Sequence, residues 1–87
     1  MDFNSKLYNY CIHGYITARK ITNCYKLIAN IQESYGGFTV MQCICIKSYL
    51  NTMKRRIQRL QDSKLLEKWD YYFSDFVQEV EKMAMGK

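Results

Sequence analysis

Within the stretch "KSYLNTMKRRIQRLQDSKLLEKW", Lys47 to Trp69, four residues place strong positive charge at helical spacing: Lys54, Arg55, Arg56 and Arg59. Ammonium and guanidinium groups in such a row hold phosphate oxygens, and an Arg fork also matches the paired acceptors of guanine. Asn51 and Thr52 stand one turn earlier, and an Asn amide offers the donor and acceptor that pair with adenine. The chemistry on offer is recognition of a polyanion, not the making or breaking of bonds. The charge distribution agrees. Residues 47–64 hold six Lys or Arg against one Asp, whereas residues 65–87 hold three Lys against five acids. The formal net charge of +5 is therefore concentrated in one segment of the 87-residue chain, and it favours an acidic partner.

Other chemistry-bearing residues point to less. Cys11, His13, Cys24, Cys43 and Cys45 give only C-x-H and C-x-C spacings far apart, which match no metal signature. Cys24 and Cys43 also fall on apolar stripes, where cysteine acts as a small hydrophobe. His13 is the only histidine, and no nucleophile elbow, phosphate loop or H-E-x-x-H accompanies it. The expectation is a protein that is not an enzyme and has neither cofactor nor metal. Of the tyrosines, Tyr10, Tyr25 and Tyr72 belong with the apolar stripes, while Tyr49, beside the basic run, is placed to touch a sugar or base.

The elements that must position these groups are helical. The chain contains no Pro and few Gly, and 48% of it is hydrophobic, enough for one core and one domain spanning residues 1–87. Phe3, Leu7, Tyr10 and Cys11 predict a short first helix. Ile21, Cys24, Tyr25, Ile28 and Ile31 predict a second of about five turns, ended by "ESYGG" with Gly in the left-handed cap. Thr39 predicts an N-cap. Beyond it, Cys43, Ile46, Leu50, Met53, Ile57 and Leu60 form a heptad seam if one long helix forms. The alternative places a tight turn at "IKS" between a short helix and a longer one. Leu65, Leu66, Trp69, Tyr72, Phe73, Phe76, Val80 and Met83 follow helical periodicity, yet "LLEKWDYYF" also suits a strand leading into a helix over 74–85. No window approaches the ~20 apolar residues of a membrane span. An intracellular protein, cytoplasmic or nucleoid-associated, with reduced thiols is expected.

At ~100° per residue, Leu50, Met53, Ile57 and Leu60 make an apolar keel. The opposite face carries Asn51, Thr52, Arg55, Gln58, Arg59 and Asp62, with Lys54 and Arg56 on the flanks. Residues 38–69 resemble the core of a helix-turn-helix domain of the winged type. There a Thr-led short helix and a turn precede a helix of the pattern S-x-N-T-V-K-R-x-I-x-R-L. Ser48, Asn51, Thr52, Met53, Lys54, Arg55, Ile57, Arg59 and Leu60 stand in those places. The sequence departs from that pattern in three ways. Lys47 stands where the turn commonly has Gly, Lys64 stands where Gly commonly ends the recognition helix, and no Gly follows Trp69 to make a wing hairpin.

The resemblance implies a mainly α fold with a reduced wing and a C-terminal helix. It implies sequence-specific binding of double-stranded DNA by a small transcriptional regulator acting as a homodimer. Asn51, Thr52 and Arg55 would then approach base edges, and Lys47, Ser48, Lys54, Arg56 and Arg59 would hold phosphates. A helix beginning near Ser48 would also aim free amides at a phosphate. Phe76, Val80 and Met83 would either close the core or join two copies. The alternative is a three- or four-helix bundle that binds another protein, such as a small phage or viral inhibitor, docking its basic face on an acidic surface. A bend at Ile46-Lys47-Ser48 separates the two. On the DNA reading, Arg55→Ala with Arg59→Ala sharply weakens DNA binding and flattens its salt dependence; unchanged retention of a DNA library at moderate salt contradicts that reading.

Overall fold

The computed structural model describes residues 2–35 and 37–85. It contains four helices: α1 (Phe3–Cys11), α2 (Ala18–Tyr35), α3 (Val40–Leu60) and α4 (Ser63–Met85). The described residues include no strand.

Each helix starts on a side-chain cap, which satisfies amides that have no partner within the helix. The Asp2 carboxylate accepts from the Ser5 amide at 2.7 Å. That hydrogen bond holds the Asp2 carboxyl below its ordinary range, so the cap is complete above the unfolded pKa and is lost as pH falls through the lowered one. The Thr17 hydroxyl accepts from the Lys20 amide at 3.2 Å and starts α2. Thr39 opens α3 as predicted, accepting from the Gln42 amide at 3.1 Å while its own amide donates to Gln42 Oε1 at 2.8 Å. This reciprocal pair is a capping box. Asp62 starts α4 by accepting from the Leu65 amide at 3.1 Å.

Between Leu60 and Ser63 the chain turns through Gln61, a left-handed residue at φ 55° and ψ 35°. The left-handed corner is thus on a non-glycine side chain, three residues before Lys64, where the helix-turn-helix pattern commonly has Gly. The Gly36 cap expected for α2 lies outside the described residues; Gly37, at φ 108°, holds the positive dihedral that glycine tolerates best.

The packing is a ring of four neighbours, with α1 against α2 and α3, and α4 against α2 and α3. Among the described residues the diagonal pairs make no close backbone approach. α4 runs back antiparallel to α3, because only two residues join them. α1 lies along α3 in the same direction: Phe3 and Asn4 share a cleft with Met41 and Cys45, and the Cys11 carbonyl meets Arg56. Every helix contributes to one core, built from Leu7 and Cys11, Ile21, Cys24 and Ile28, then Ile46, Leu50, Met53 and Ile57, then Trp69, Phe73 and Val77. No polar or charged residue is buried among the described residues.

Several sequence expectations are corrected by this arrangement. The turn placed at Ile46-Lys47-Ser48 does not exist, because α3 continues through all three residues. Ile46 and Leu50 are both buried on the same side of it, so the seam of the long-helix alternative prevails. Ser48 is therefore mid-helix, and its carbonyl accepts from the Thr52 hydroxyl at 3.0 Å rather than standing at an open helix start. Residues 66–73 are helical, and α4 is one element with the predicted 74–85 helix as its second half. A strand there would put Trp69, Tyr71 and Phe73 on one face, whereas Trp69 and Phe73 are buried and Tyr71 is 84% exposed. No wing forms among the described residues. The seam ends at Ile57, since Leu60 is 55% exposed.

Trp69 closes the α3–α4 hairpin. Its ring is buried, and its indole N–H donates to the Leu50 carbonyl at 3.0 Å. Trp69→Ala is expected to cost about 3–5 kcal/mol in urea unfolding, and Thr39→Ala about 1 kcal/mol. A loss under ~1 kcal/mol at Trp69 would show that the hairpin does not depend on it.

Candidate docking face on the third helix

The eight residues expected to read or hold DNA are all on α3, but the fold sorts them into different duties. Arg56 turns sideways onto α1. Its guanidinium donates to the Cys11 carbonyl at 2.9 Å and to the Gly14 carbonyl. These carbonyls lie at and beyond the C-terminal end of α1, where helix carbonyls lack partners and the dipole favours a cation. Arg56 therefore ties the end of α1 to α3. Lys54 turns the other way, onto α4. Its Nζ lies 4.8 Å from the centre of the Trp69 ring and 3.8 Å from an Asp70 carboxylate oxygen. Lys47, two turns earlier, stands on the same side and is half-buried.

The remaining groups share the outward face. A short chain of hydrogen bonds runs along it, from the Ser48 carbonyl to the Thr52 hydroxyl and on to Arg55, whose guanidinium donates to Thr52 Oγ1 at 3.2 Å. Asn51 is half-buried at its edge. Arg59 is exposed one turn beyond Arg55 and borders a cleft shared with Tyr15, Ile16 and Leu60.

The same face carries a feature that charge alone did not reveal. At its N-terminal end, Met41 is 68% exposed, and Val40 and Ile44 are also exposed. In angle, Met41, Ile44, Ser48, Arg55 and Arg59 lie within about 60° of one another. The outward face of α3 thus runs from an apolar end, through hydroxyl and amide groups, to a cationic end. From Met41 to Arg59 it spans about 27 Å at 1.5 Å per residue. The signal for the apolar end was present in the sequence as "VMQCICI", where Val40, Met41 and Ile44 lie off the seam of Cys43 and Ile46.

Other expected site residues fall elsewhere. Tyr49 packs partly buried against the core and lines a cleft with Asn4, Ser5 and Tyr8, on the α1 side rather than the outward face. Phe76 packs against the core, Val80 is buried, and Met83 is exposed at the end of that stripe. Tyr25 and Tyr72 pair with ring centres 4.7 Å apart between α2 and α4. No group of three or more metal-ligating residues comes together among the described residues. No helix among them is long and apolar enough to cross a membrane.

No protein-family model matches the sequence, and neither the characterised proteins nor the solved structures compared with it give a match.

The different duties of neighbouring cations give an expectation. Arg56→Ala removes two charge-assisted hydrogen bonds to backbone carbonyls and should destabilise the fold by about 2 kcal/mol. Arg55→Ala should stay within about 0.5 kcal/mol, as surface substitutions usually do. Urea unfolding of the two variants side by side checks this, and equal effects would show that Arg56 is not structural.

Proposed function

We propose that this chain is a helical-bundle interaction module that binds a partner protein through the outward face of α3. The partner surface has an apolar recess for Met41 and Ile44 and acidic groups for Arg55 and Arg59. The observation that carries this reading is the unbroken course of α3 through Lys47, which sets apolar and cationic residues in one line on one face.

Three features support docking on a protein over reading a DNA groove. A recognition helix must enter a major groove ~12 Å wide, whereas α3 is flanked on one side by α1 and on the other by α4. Neighbouring helix axes lie about 8–10 Å apart, so the flanks would meet the phosphate walls before α3 reached base edges. Two of the four cations of the basic run, Lys54 and Arg56, are held by partners on other parts of the fold, on α4 and at the end of α1. Exposed Met and Ile side chains at one end suit an apolar recess in a protein and have little to gain beside phosphates.

The test uses two double variants that separate the two ends of the face. Met41→Glu with Ile44→Glu and Arg55→Ala with Arg59→Ala should each weaken the same partner at least tenfold, with the fold retained by circular dichroism. The cationic pair should act mainly on the association rate and its salt dependence. DNA retention that is sequence-dependent, falls steeply with salt, and is lost only in the Arg55 and Arg59 variant would overturn the proposal in favour of DNA recognition.

A further inference from the structure

We propose that Cys11 and Cys24 form a modification site, at which hydrogen peroxide oxidises the two thiols to an intramolecular disulfide that staples the end of α1 to α2. The pair stands apart from the docking face and does not depend on it. Cys11 is the last residue of α1, and Cys24 lies two turns into α2. Both are fully buried, and their sulfurs are 3.8 Å apart. A disulfide needs about 2.05 Å, so the sulfurs must approach by about 1.8 Å for the bond to form. Cys43 and Cys45 are free thiols on the first turns of α3, Cys45 being exposed.

The chemistry balances with the peroxide as the only oxidant. One thiolate attacks the O–O bond, which breaks to give a sulfenic acid and hydroxide. The second thiolate then displaces hydroxide from the sulfenic sulfur, forming the S–S bond. Two thiol protons end on two water molecules, and the two electrons from sulfur reduce the peroxide.

Position determines both the speed and the effect of this step. The hydrogen bond between the thiols, and then burial, push the Cys11 thiol well above its ordinary range. The nucleophilic thiolate is therefore scarce in the closed bundle. Oxidation proceeds from openings of α1, which is only nine residues long and therefore among the elements expected to open most readily. Once formed, the bond closes a short loop around Gly14 and fixes the end of α1 that Arg56 also grips. α1 is then locked as a flank of α3.

The test uses the whole chain with Cys45→Ser, so that no exposed thiol competes. After excess hydrogen peroxide, denaturation, alkylation and tryptic digestion without reductant, the segment Leu7 to Arg19 should be joined to the segment Ile21 to Lys26. The mass should equal their sum less two hydrogens, and dithiothreitol should separate them. Tm should rise by about 5 °C or more, as expected of a short-loop disulfide in a small domain, and the rise should vanish in a chain that also carries Cys24→Ala. Recovery of both segments separately alkylated, Cys11 joined instead to Cys43, or a Tm rise that survives Cys24→Ala would overturn the proposal.

Discussion

The contact between Trp69 and α3 is the constraint on which the rest of the bundle depends. An indole buried in a core of ordinary aliphatic residues must find an acceptor for its N–H, and the acceptor here is the Leu50 carbonyl. The acceptor sits near the middle of α3, so the bond sets how far α4 is shifted along its neighbour. With that shift set, Lys54 comes over the indole and beside Asp70, and Phe73 and Val77 join Ile46 and Leu50 in the core. The seam of α3 must then remain in helical register from Cys43 to Ile57 for both ends to meet α4 and α1. A turn at Lys47 would rotate Ile46 out of the core and expose an isoleucine that is 1% accessible.

That register also decides which cations are available. On a helix held between two neighbours, residues on the two flanks meet the neighbours and only the middle strip meets solvent. Arg56 falls on the α1 flank and Lys54 on the α4 flank, so both serve the fold. Arg55 and Arg59 fall on the strip, and so do Met41 and Ile44. The proposed docking surface is therefore a by-product of packing: it is what remains of α3 after two sides have been used.

Much of this was legible in the sequence. The helical character, the Thr39 cap, the keel of Leu50, Met53 and Ile57, and the stripes of α1 and α2 follow from spacing and cap chemistry. The choice between one long helix and a helical pair was not legible, because Cys43, Ile46 and Leu50 fit the core side of either. Local spacing cannot tell which element lies opposite. The same limit applies to the basic run: charge was visible, but the partners of Lys54 and Arg56 lie on α4 and at the end of α1, distant in sequence. Aromatic residues in "LLEKWDYYF" carry strand propensity, which burial of Trp69 and Phe73 on one helical face overrides. The proximity of Cys11 to Cys24 likewise depends on how α1 folds back on α2, which no spacing rule encodes.

The proposed docking face exists only if α3 is one continuous helix. Backbone chemical shifts and amide exchange across residues 42–51 test it most directly. Helical Cα shifts without interruption, with the Lys47 and Ser48 amides protected alongside Ile46 and Leu50, are the predicted result. Coil shifts and rapid exchange confined to Lys47 and Ser48, between protected segments, would contradict it and restore a turn with a separate recognition helix beyond.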